Sequence, residues 1–414
     1  MKKLLWVSFL FLSLTQAYGQ SWSLLNSGSS SNLKGVHFPT ATVGYACGDA
    51  GEILKTTDGG SSWTSLTTSF PGYWFWDIHF VNVDTGYVVG ESDPGFNPSG
   101  LGIVLKTLDG GSSWTTLMSG LSTPPRDLFV LDKDTVFICG GAEQVNSRIA
   151  KSYDGGATWT QIGIPEMDAI EGGIYFLNGN VGFLGMYIFT FGGYFLNSTD
   201  GSSFTSSLIP SSGGYWNFAT DFGDQSTGYF MRSTYGSSDP VYVRKTIDAG
   251  GSWNESQVAG FGGSIYGLDF VDADNGYMVG GSGKILHTSN GNSSWSTQSS
   301  GTTNDLHSVC FVNTDLGFAV GNNGTILKYT NLVGLSDNAS SPTIQIYPNP
   351  ADEIINVETE EKIDCISIVN VLGETVGTYR NKSAIAVDRL QKGTYTMSLI
   401  FASGKQVQKL FIKN

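Results

Sequence analysis

Two short patterns recur along the chain, and their spacing restricts its fold more than any other feature. The first is Phe, five residues, then Gly and an aromatic. It occurs as Phe38/Gly44-Tyr45, Phe80/Gly86-Tyr87, Phe176/Gly182-Phe183, Phe222/Gly228-Tyr229, Phe270/Gly276-Tyr277 and Phe311/Gly317-Phe318. A seventh copy is degenerate, with Val130 and Val136-Phe137, yet 127–140 (DLFVLDKDTVFICG) still aligns with 77–90 (DIHFVNVDTGYVVG). The second pattern follows the first as Ser/Thr-x-Asp-x-Gly-x-x-Trp. Clear copies are Thr56-Asp58-Gly60-Trp63, Thr107-Asp109-Gly111-Trp114, Ser152-Asp154-Gly156-Trp159 and Thr246-Asp248-Gly250-Trp253. Two copies are worn: Ser198-Asp200 reaches Phe204 one residue early, and Thr288 to Trp295 carries Asn290 and Asn292 in place of Asp and Gly.

Each unit reads as four strands, near 33–38, 44–48, 52–57 and 62–66 in the first, because apolar and polar residues alternate between turn residues. The units lie 41 to 50 residues apart, a period that suits propeller blades. The last unit has strands near 306–311, 317–321 and 325–330 and then no Trp. The missing piece sits at the other end of the chain, where Trp22-Ser23-Leu24-Leu25 matches Trp63-Thr64-Ser65-Leu66. Residues 21–25 are therefore expected to supply the outer strand of blade seven, which removes an exposed sheet edge. The fold class is all-β: a seven-bladed β-propeller over 20–331, a Ser/Asn linker over 332–343, and a small β-sandwich over 344–414. Strands in the last part are expected near 354–358, 363–370, 384–388, 394–401 and 406–412. Fifty-five glycines and 13% aromatic residues fit many short strands joined by tight turns.

The second pattern resembles the Asp-box, or BNR, repeat. Its physics is that of a hairpin turn: the carboxylate accepts backbone N–H bonds and Gly supplies a positive φ. Asp58, Trp63, Asp109, Trp114, Asp154, Trp159, Asp248 and Trp253 are accordingly read as structural. Residues 20–331 resemble the propeller family of photosystem II stability and assembly factors. That resemblance implies an arginine-rich patch, whereas the propeller here has only Arg126, Arg148, Arg232 and Arg244. Residues 344–414 resemble the type A C-terminal sorting domain of the type IX secretion system, through Tyr347-Pro348-Asn349-Pro350, Val371-Leu372-Gly373, Leu390-Gln391-Lys392-Gly393-Thr394-Tyr395 and the end from Lys405 through Lys409. The resemblance implies a Bacteroidetes-type bacterium, handling by the secretion machinery, removal of the domain, and release or attachment at the outer-membrane surface. A plain accessory binding sandwich is the alternative.

The first nineteen residues read as a signal peptide: Lys2 and Lys3, an apolar run from Leu4 to Leu14, then Ala17-Tyr18-Gly19. That run is too short for a membrane span, and no later segment is long enough. A net charge of −14 argues against nucleic-acid binding, which needs a basic footprint. Cys47, Cys139, Cys310 and Cys365 lack metal-ligand spacing and read as free, buried hydrophobes. His37, His79 and His287 read as strand residues. No metal, cofactor or oligomer is expected.

Ligands of propellers commonly meet loops entering the innermost strands. One residue per blade, four before the Phe38 position, gives Lys34, Trp76, Arg126, Gly172, Phe218, Tyr266 and His307. These are expected to form an aromatic floor with a few positive groups, suited to sugar rings or to a partner's side chains. The function that follows is a secreted or cell-surface binding propeller for a glycan or protein, with no catalytic residues assigned. The alternative is a glycoside hydrolase of the Asp-box propeller type, with Asp77, Asp127 and Glu171 as the available carboxylates.

Overall fold

The computed structural model describes residues 21–414 except 93–100, 123, 141–147, 163–168, 171–172, 189–191, 210–216, 234–239, 332–344, 360–361, 371–374, 381 and 402–405. The expected signal segment and linker lie outside the described residues. The chain divides into two compact units, Gln20–Leu332 and Val333–Asn414.

The first unit holds seven antiparallel sheets among the described residues. Blade 1 runs from inner to outer strand as Leu33–His37, Gly44–Gly48, Ile53–Thr56 and Thr64–Ser65. The inner strands of blades 2 to 6 are Tyr73–Phe80, Asp127–Val130, Ile174–Phe176, Asn217–Phe222 and Ile265–Phe270. Blade 7 has Leu306–Asn313, Leu316–Gly321 and Ile326–Thr330, and its outer strand is Ser21–Leu25, paired antiparallel with Trp22 opposite Tyr329. Each inner strand contacts the next, and that of blade 7 contacts that of blade 1, so the ring is closed.

The apolar core is divided into one cluster per blade interface. The seven clusters run from blades 1 and 2, around Tyr45 and Phe80, to blades 7 and 1, around Phe318 and Phe38. The Phe-x5-Gly-aromatic pattern accounts for them. The Phe of one blade stacks on the aromatic of the blade before it: Phe80 on Tyr45 at 3.5 Å between ring centres, Phe176 on Phe137 at 3.5 Å, Phe270 on Tyr229 at 3.5 Å, Phe311 on Tyr277 at 3.9 Å, and Phe38 on Phe318 at 3.6 Å. The same Phe lies flat over its own blade's Gly, where any Cβ would overlap the ring. Its edge meets the Trp that follows the Asp turn, as in Phe38–Trp63 at 85° and Phe80–Trp114 at 84°. In blade 7 that Trp is Trp22, 5.8 Å from Phe311 at 88°.

The turns between third and outer strands are tied by their aspartates. Asp58 Oδ1 accepts from the Thr56 hydroxyl at 2.8 Å and the Ser62 N–H at 2.8 Å, and Oδ2 accepts from the Ser62 hydroxyl. Asp109, Asp154 and Asp248 repeat this set. These bonds hold all four carboxyls down at about 2. Most of these turns are also gripped by a lysine of the preceding blade, although blade 4 has Asn197 at that position before the Asp248 turn. Lys55 Nζ donates to the Gly110 carbonyl at 2.8 Å, Lys106 to Gly155 at 2.8 Å, Lys245 to Gly291 at 3.0 Å, and Lys328 of blade 7 to Gly59 of blade 1 at 2.8 Å. Blade 6 faces the one blade built without such a turn, and His287 stands at its lysine position.

The second unit packs Gln345–Tyr347, Ile354–Glu358 and Ala384–Ala386 against Thr375–Arg380, Ile363–Asn370, Gly393–Phe401 and Gln406–Lys413. Ile355, Ile366, Ile368, Met397, Leu399 and Phe411 fill its core. The strands Gln345–Tyr347 and Thr375–Arg380 are additional to those read from the sequence. None of the four cysteines forms a disulfide: Cys47 and Cys139 are buried, whereas Cys310 and Cys365 are only half-buried.

Blade 3 tests the ring-over-glycine rule. It has Val130 where the others have Phe, and it tolerates Val136 where six others have Gly. Val130→Phe alone is expected to destabilise by about 1–3 kcal/mol through overpacking. Val136→Gly in the same chain is expected to recover much of that loss. Urea unfolding of the two single variants and the double variant measures the coupling.

Candidate functional site

All blades are wound alike, so their inner strands begin at one end of the channel. In blades 1, 2, 6 and 7 the inner strand bulges there by one residue. The extra residues are Lys34, Trp76, Tyr266 and His307, each skipped in the pairing with the second strand. A bulge re-aims its side chain out of the alternating pattern. It also drives a backbone carbonyl against the end of the second strand. A Cβ on Gly48, Gly90, Gly280 or Gly321 would overlap the carbonyl of Asn32, Trp74, Ser264 or Asp305, and one on Gly140 that of Pro124. Glycine at the second-strand end is therefore the sequence mark of the bulge.

These side chains form an arc. The rings of Tyr266 and His307 lie 5.3 Å apart. Lys34 Nζ sits 3.3 Å from His307 Nε2 and 5.8 Å from the centre of the Trp76 ring. Arg126 lies 4.9 Å from the same ring. Trp76 Nε1 donates to Glu91 Oε1 at 2.8 Å, and Arg126 makes an ion pair with that oxygen at 3.5 Å. Glu91 is only 2% exposed, so these two donors compensate a charge that would otherwise be costly to bury. Burial pushes the Lys34 ammonium down, opposed by Asp49 and Asp305. Burial and then the Lys34 charge hold the His307 imidazole below its usual range.

Phe218 corrects the expectation of an arc over all described blades. It is buried, packed against Phe230 at 5.7 Å and over Gly185 of blade 4. The reason is local. Blade 5 has Arg232 at the position of the second-strand glycine, and its register runs unbroken through Asn217–Ser233, Phe218–Arg232 and Ala219–Met231. Without a bulge, Phe218 keeps the core-facing orientation. Gly172 and Glu171 lie outside the described residues. Arg232 and Arg244 are drawn away to Glu255, at 2.7 and 3.0 Å.

The residues after the second-strand glycines also belong to the arc, and the repeat reading did not single them out. Asp49 accepts from Asn32 Nδ2 at 2.8 Å, Glu91 holds Trp76 and Arg126, and Asn322 Oδ1 lies 2.7 Å from His307 Nε2. The signal was present in the sequence as a polar residue directly following Gly48, Gly90 and Gly321.

Further along the channel, acids and histidines cap the free edges of the inner strands. Asp77 accepts from the Leu128 N–H at 3.3 Å, Asp127 from Ile174 at 2.7 Å, Asp269 from Phe311 at 2.8 Å, and Asp221 from Phe270. His37 Nδ1 accepts from Phe80 N–H at 3.3 Å, and its ring stacks on His79 at 4.1 Å. Each bond joins one blade to the next and satisfies an edge amide that no strand reaches. Burial, then the charge of the neighbouring Asp127, pushes Asp77 far above the carboxylate range. Burial and then Asp221 do the same to Asp269. Among the described residues no group of three or more His, Cys, Asp or Glu side chains is placed to hold a metal.

The channel acids and the turn acids impose opposite pH trends. The folded-state pKa of Asp77 and of Asp269 lies above the unfolded value of about 3.9. Their contribution is full below that pH and is lost as pH rises through the folded value. For Asp58, Asp109, Asp154 and Asp248 the contribution is present above about pH 3.9 and lost toward pH 2. The amide of Asp77→Asn mimics the protonated acid. The wild type is expected to lose more Tm than this variant between pH 4 and pH 8, and thermal melts across that range measure the difference.

The architecture and this arc define a class: a closed β-propeller whose channel end carries a cation–aromatic surface, joined to a separate β-sandwich. Residues 14–136 and 229–330 match the family model described as photosynthesis system II assembly factor YCF48, and residues 345–413 match that of the secretion system C-terminal sorting domain. The chain belongs to the photosynthesis system II assembly factor YCF48 family and carries a secretion-system sorting domain. Among solved structures it is similar to YCF48 bound to a D1 peptide, with 18% identity, TM-score 0.58, and coverage of 75% of this chain and 96% of that one. YCF48 from Cyanidioschyzon merolae gives 18%, 0.57, 75% and 98%. The GH74 enzyme of Niastella koreensis gives 15%, 0.57, 94% and 67%. At such identities the likeness is one of fold. No curated protein matches the chain.

Proposed function

We propose that this chain is an exported binding protein, delivered by type IX secretion to the medium or the outer-membrane surface of a Bacteroidetes-type bacterium. Its channel-end arc holds a glycan or a protein without turning it over. The observation that carries this reading is the continuity of Tyr266, His307, Lys34, Trp76 and Arg126 across five blades. Four of the five are bulged out of their strands and the fifth, Arg126, precedes its strand, so the backbone itself presents them. A cation–aromatic surface of this kind suits recognition by stacking and charge. The D1 peptide on a solved YCF48 is a precedent for polypeptide capture by this fold.

The glycoside-hydrolase alternative draws on the GH74 likeness. Its described candidate pair, Asp77 and Asp127, counts against it. Hydrolysis requires one free carboxylate and one carboxylic acid facing the substrate, whereas both of these accept from backbone amides of the next blade, Asp77 from Leu128 and Asp127 from Ile174.

Trp76→Ala and Arg126→Ala are expected to weaken any interaction found on glycan and peptide arrays by about tenfold or more, because truncating a central aromatic or Arg anchor costs about 2 kcal/mol. Binding unchanged in both variants would contradict the assignment of the arc. Turnover of a glycan substrate that disappears in Asp77→Ala or Asp127→Ala would replace binding with catalysis. The mass of the protein recovered from culture medium is expected to lack residues 344–414, and their retention on the exported form would count against the sorting reading.

A further inference from the structure

The arc is not chemically uniform. At its blade 2–3 end the cation is paired, since Arg126 makes an ion pair with Glu91 and Trp76 donates to the same carboxylate. At its blade 6–7–1 end the cation is not paired. There, among the described residues, the Lys34 ammonium approaches only His307 Nε2 and the Trp76 ring. His307 Nε2 has a single hydrogen or a single lone pair to offer. It lies 2.7 Å from the Asn322 carbonyl oxygen, so the nitrogen carries the hydrogen and donates it there. It then has no lone pair for Lys34. Asp49 and Asp305 both act on the Lys34 charge, yet neither forms an ion pair with it among the described residues. Their positions are fixed by other bonds: Asp49 Oδ2 takes Asn32 Nδ2 at 2.8 Å, and Asp305 Oδ1 takes the Ser282 N–H at 2.7 Å.

A half-buried ammonium with no acceptor, flanked by two carboxylates held out of reach, narrows the chemistry of what completes it. An anion would answer Lys34 but face both carboxylates. A cation would answer the carboxylates but face Lys34. An apolar group would leave all three desolvated and unpaired, at substantial cost. A hydroxyl donates and accepts through one atom. A row of hydroxyls on neighbouring carbons meets the ammonium and the carboxylates together. The half-buried Tyr266 ring beside His307 adds a flat apolar face at the same spot.

We propose that the blade 6–7–1 sector binds a neutral saccharide, with a sugar ring on Tyr266, Lys34 donating to its hydroxyls, and Asp49 and Asp305 accepting from them. This rests on the reading of the arc as the binding surface and names its ligand class. Asn322 and Asn32 act as positioning residues, the first by occupying His307 and the second by orienting Asp49.

The test uses the full chain and calorimetric titration with neutral gluco-, manno-, xylo- and galacto-oligosaccharides, with oligogalacturonate, and with a Glu-rich peptide. At least one neutral oligosaccharide is expected to bind, with an affinity little changed between 0.05 and about 0.5 M salt, because no net charge is brought together. Lys34→Met is expected to weaken it about tenfold or more, the loss of one hydrogen bond to a charged donor. Tyr266→Ala and Asp305→Asn are expected to do likewise, with Tm values confirming that each variant folds. Binding confined to oligogalacturonate or the peptide, salt-sensitive and lost in Lys34→Met, would overturn the neutral saccharide while leaving the arc as the binding surface. A neutral oligosaccharide whose affinity none of the three variants alters would overturn the blade 6–7–1 site. Absence of binding across the neutral series would overturn the ligand class, and the Trp76→Ala and Arg126→Ala measurements then decide the arc independently.

Discussion

Ring stacking between neighbouring blades is the contact on which the rest of the propeller depends. A four-stranded blade has two apolar faces and no core of its own. The Phe that begins six of the seven repeats answers this by lying on the aromatic of the preceding blade, over the glycine of its own second strand, and edge-on to the aromatic after its own Asp turn. Each such contact is individually worth about 0.5–1.5 kcal/mol beyond its buried area. The contacts close on themselves: Phe38 of the first blade lies on Phe318 of the last. The lysine bonds to the next blade's turn follow the same circuit and end with Lys328 on Gly59. A ring built this way has no free end, provided the N-terminal strand delivers Trp22 to the last blade.

That rigid ring allows the channel end to be irregular. The bulges that present Lys34, Trp76, Tyr266 and His307 depend on a glycine across the ladder, because the displaced carbonyl occupies the place of its Cβ. Blade 5 has Arg232 there instead. The same substitution removes the bulge, returns Phe218 to the core and sends the guanidinium to Glu255. The described arc is thus one-sided for a reason written in single residues. Deeper in the channel, the acids that a catalytic reading would recruit are occupied in capping edge amides of the inner strands.

Much of this was legible before any coordinates. The recurring repeats mark the all-β propeller, since a four-stranded sheet with two apolar faces demands a neighbouring blade on each side, and short strands between turn residues mark the sandwich that follows. The row containing Lys34 and Trp76 was legible as a row. Its division was not, because alignment by Phe38 equivalents counts positions and is blind to a one-residue bulge. The glycine at the second-strand end was visible, but its meaning required knowing which carbonyl it faces. Asp49, Glu91 and Asn322 were passed over for the same cause: they sit on a different strand from the row they complete.

The sequence by itself determined the repeat, the positions of the aromatic rings and turn carboxylates, and the sandwich appended to them, because these follow from local periodicity and turn chemistry. Only the tertiary structure decided which channel-end residues meet. That outcome depends on ladder register and on the approach of carbonyls from another strand. It also depends on which hydrogen-bonding groups are satisfied once the ring has closed, which is how Lys34 comes to lie among carboxylates without pairing to either.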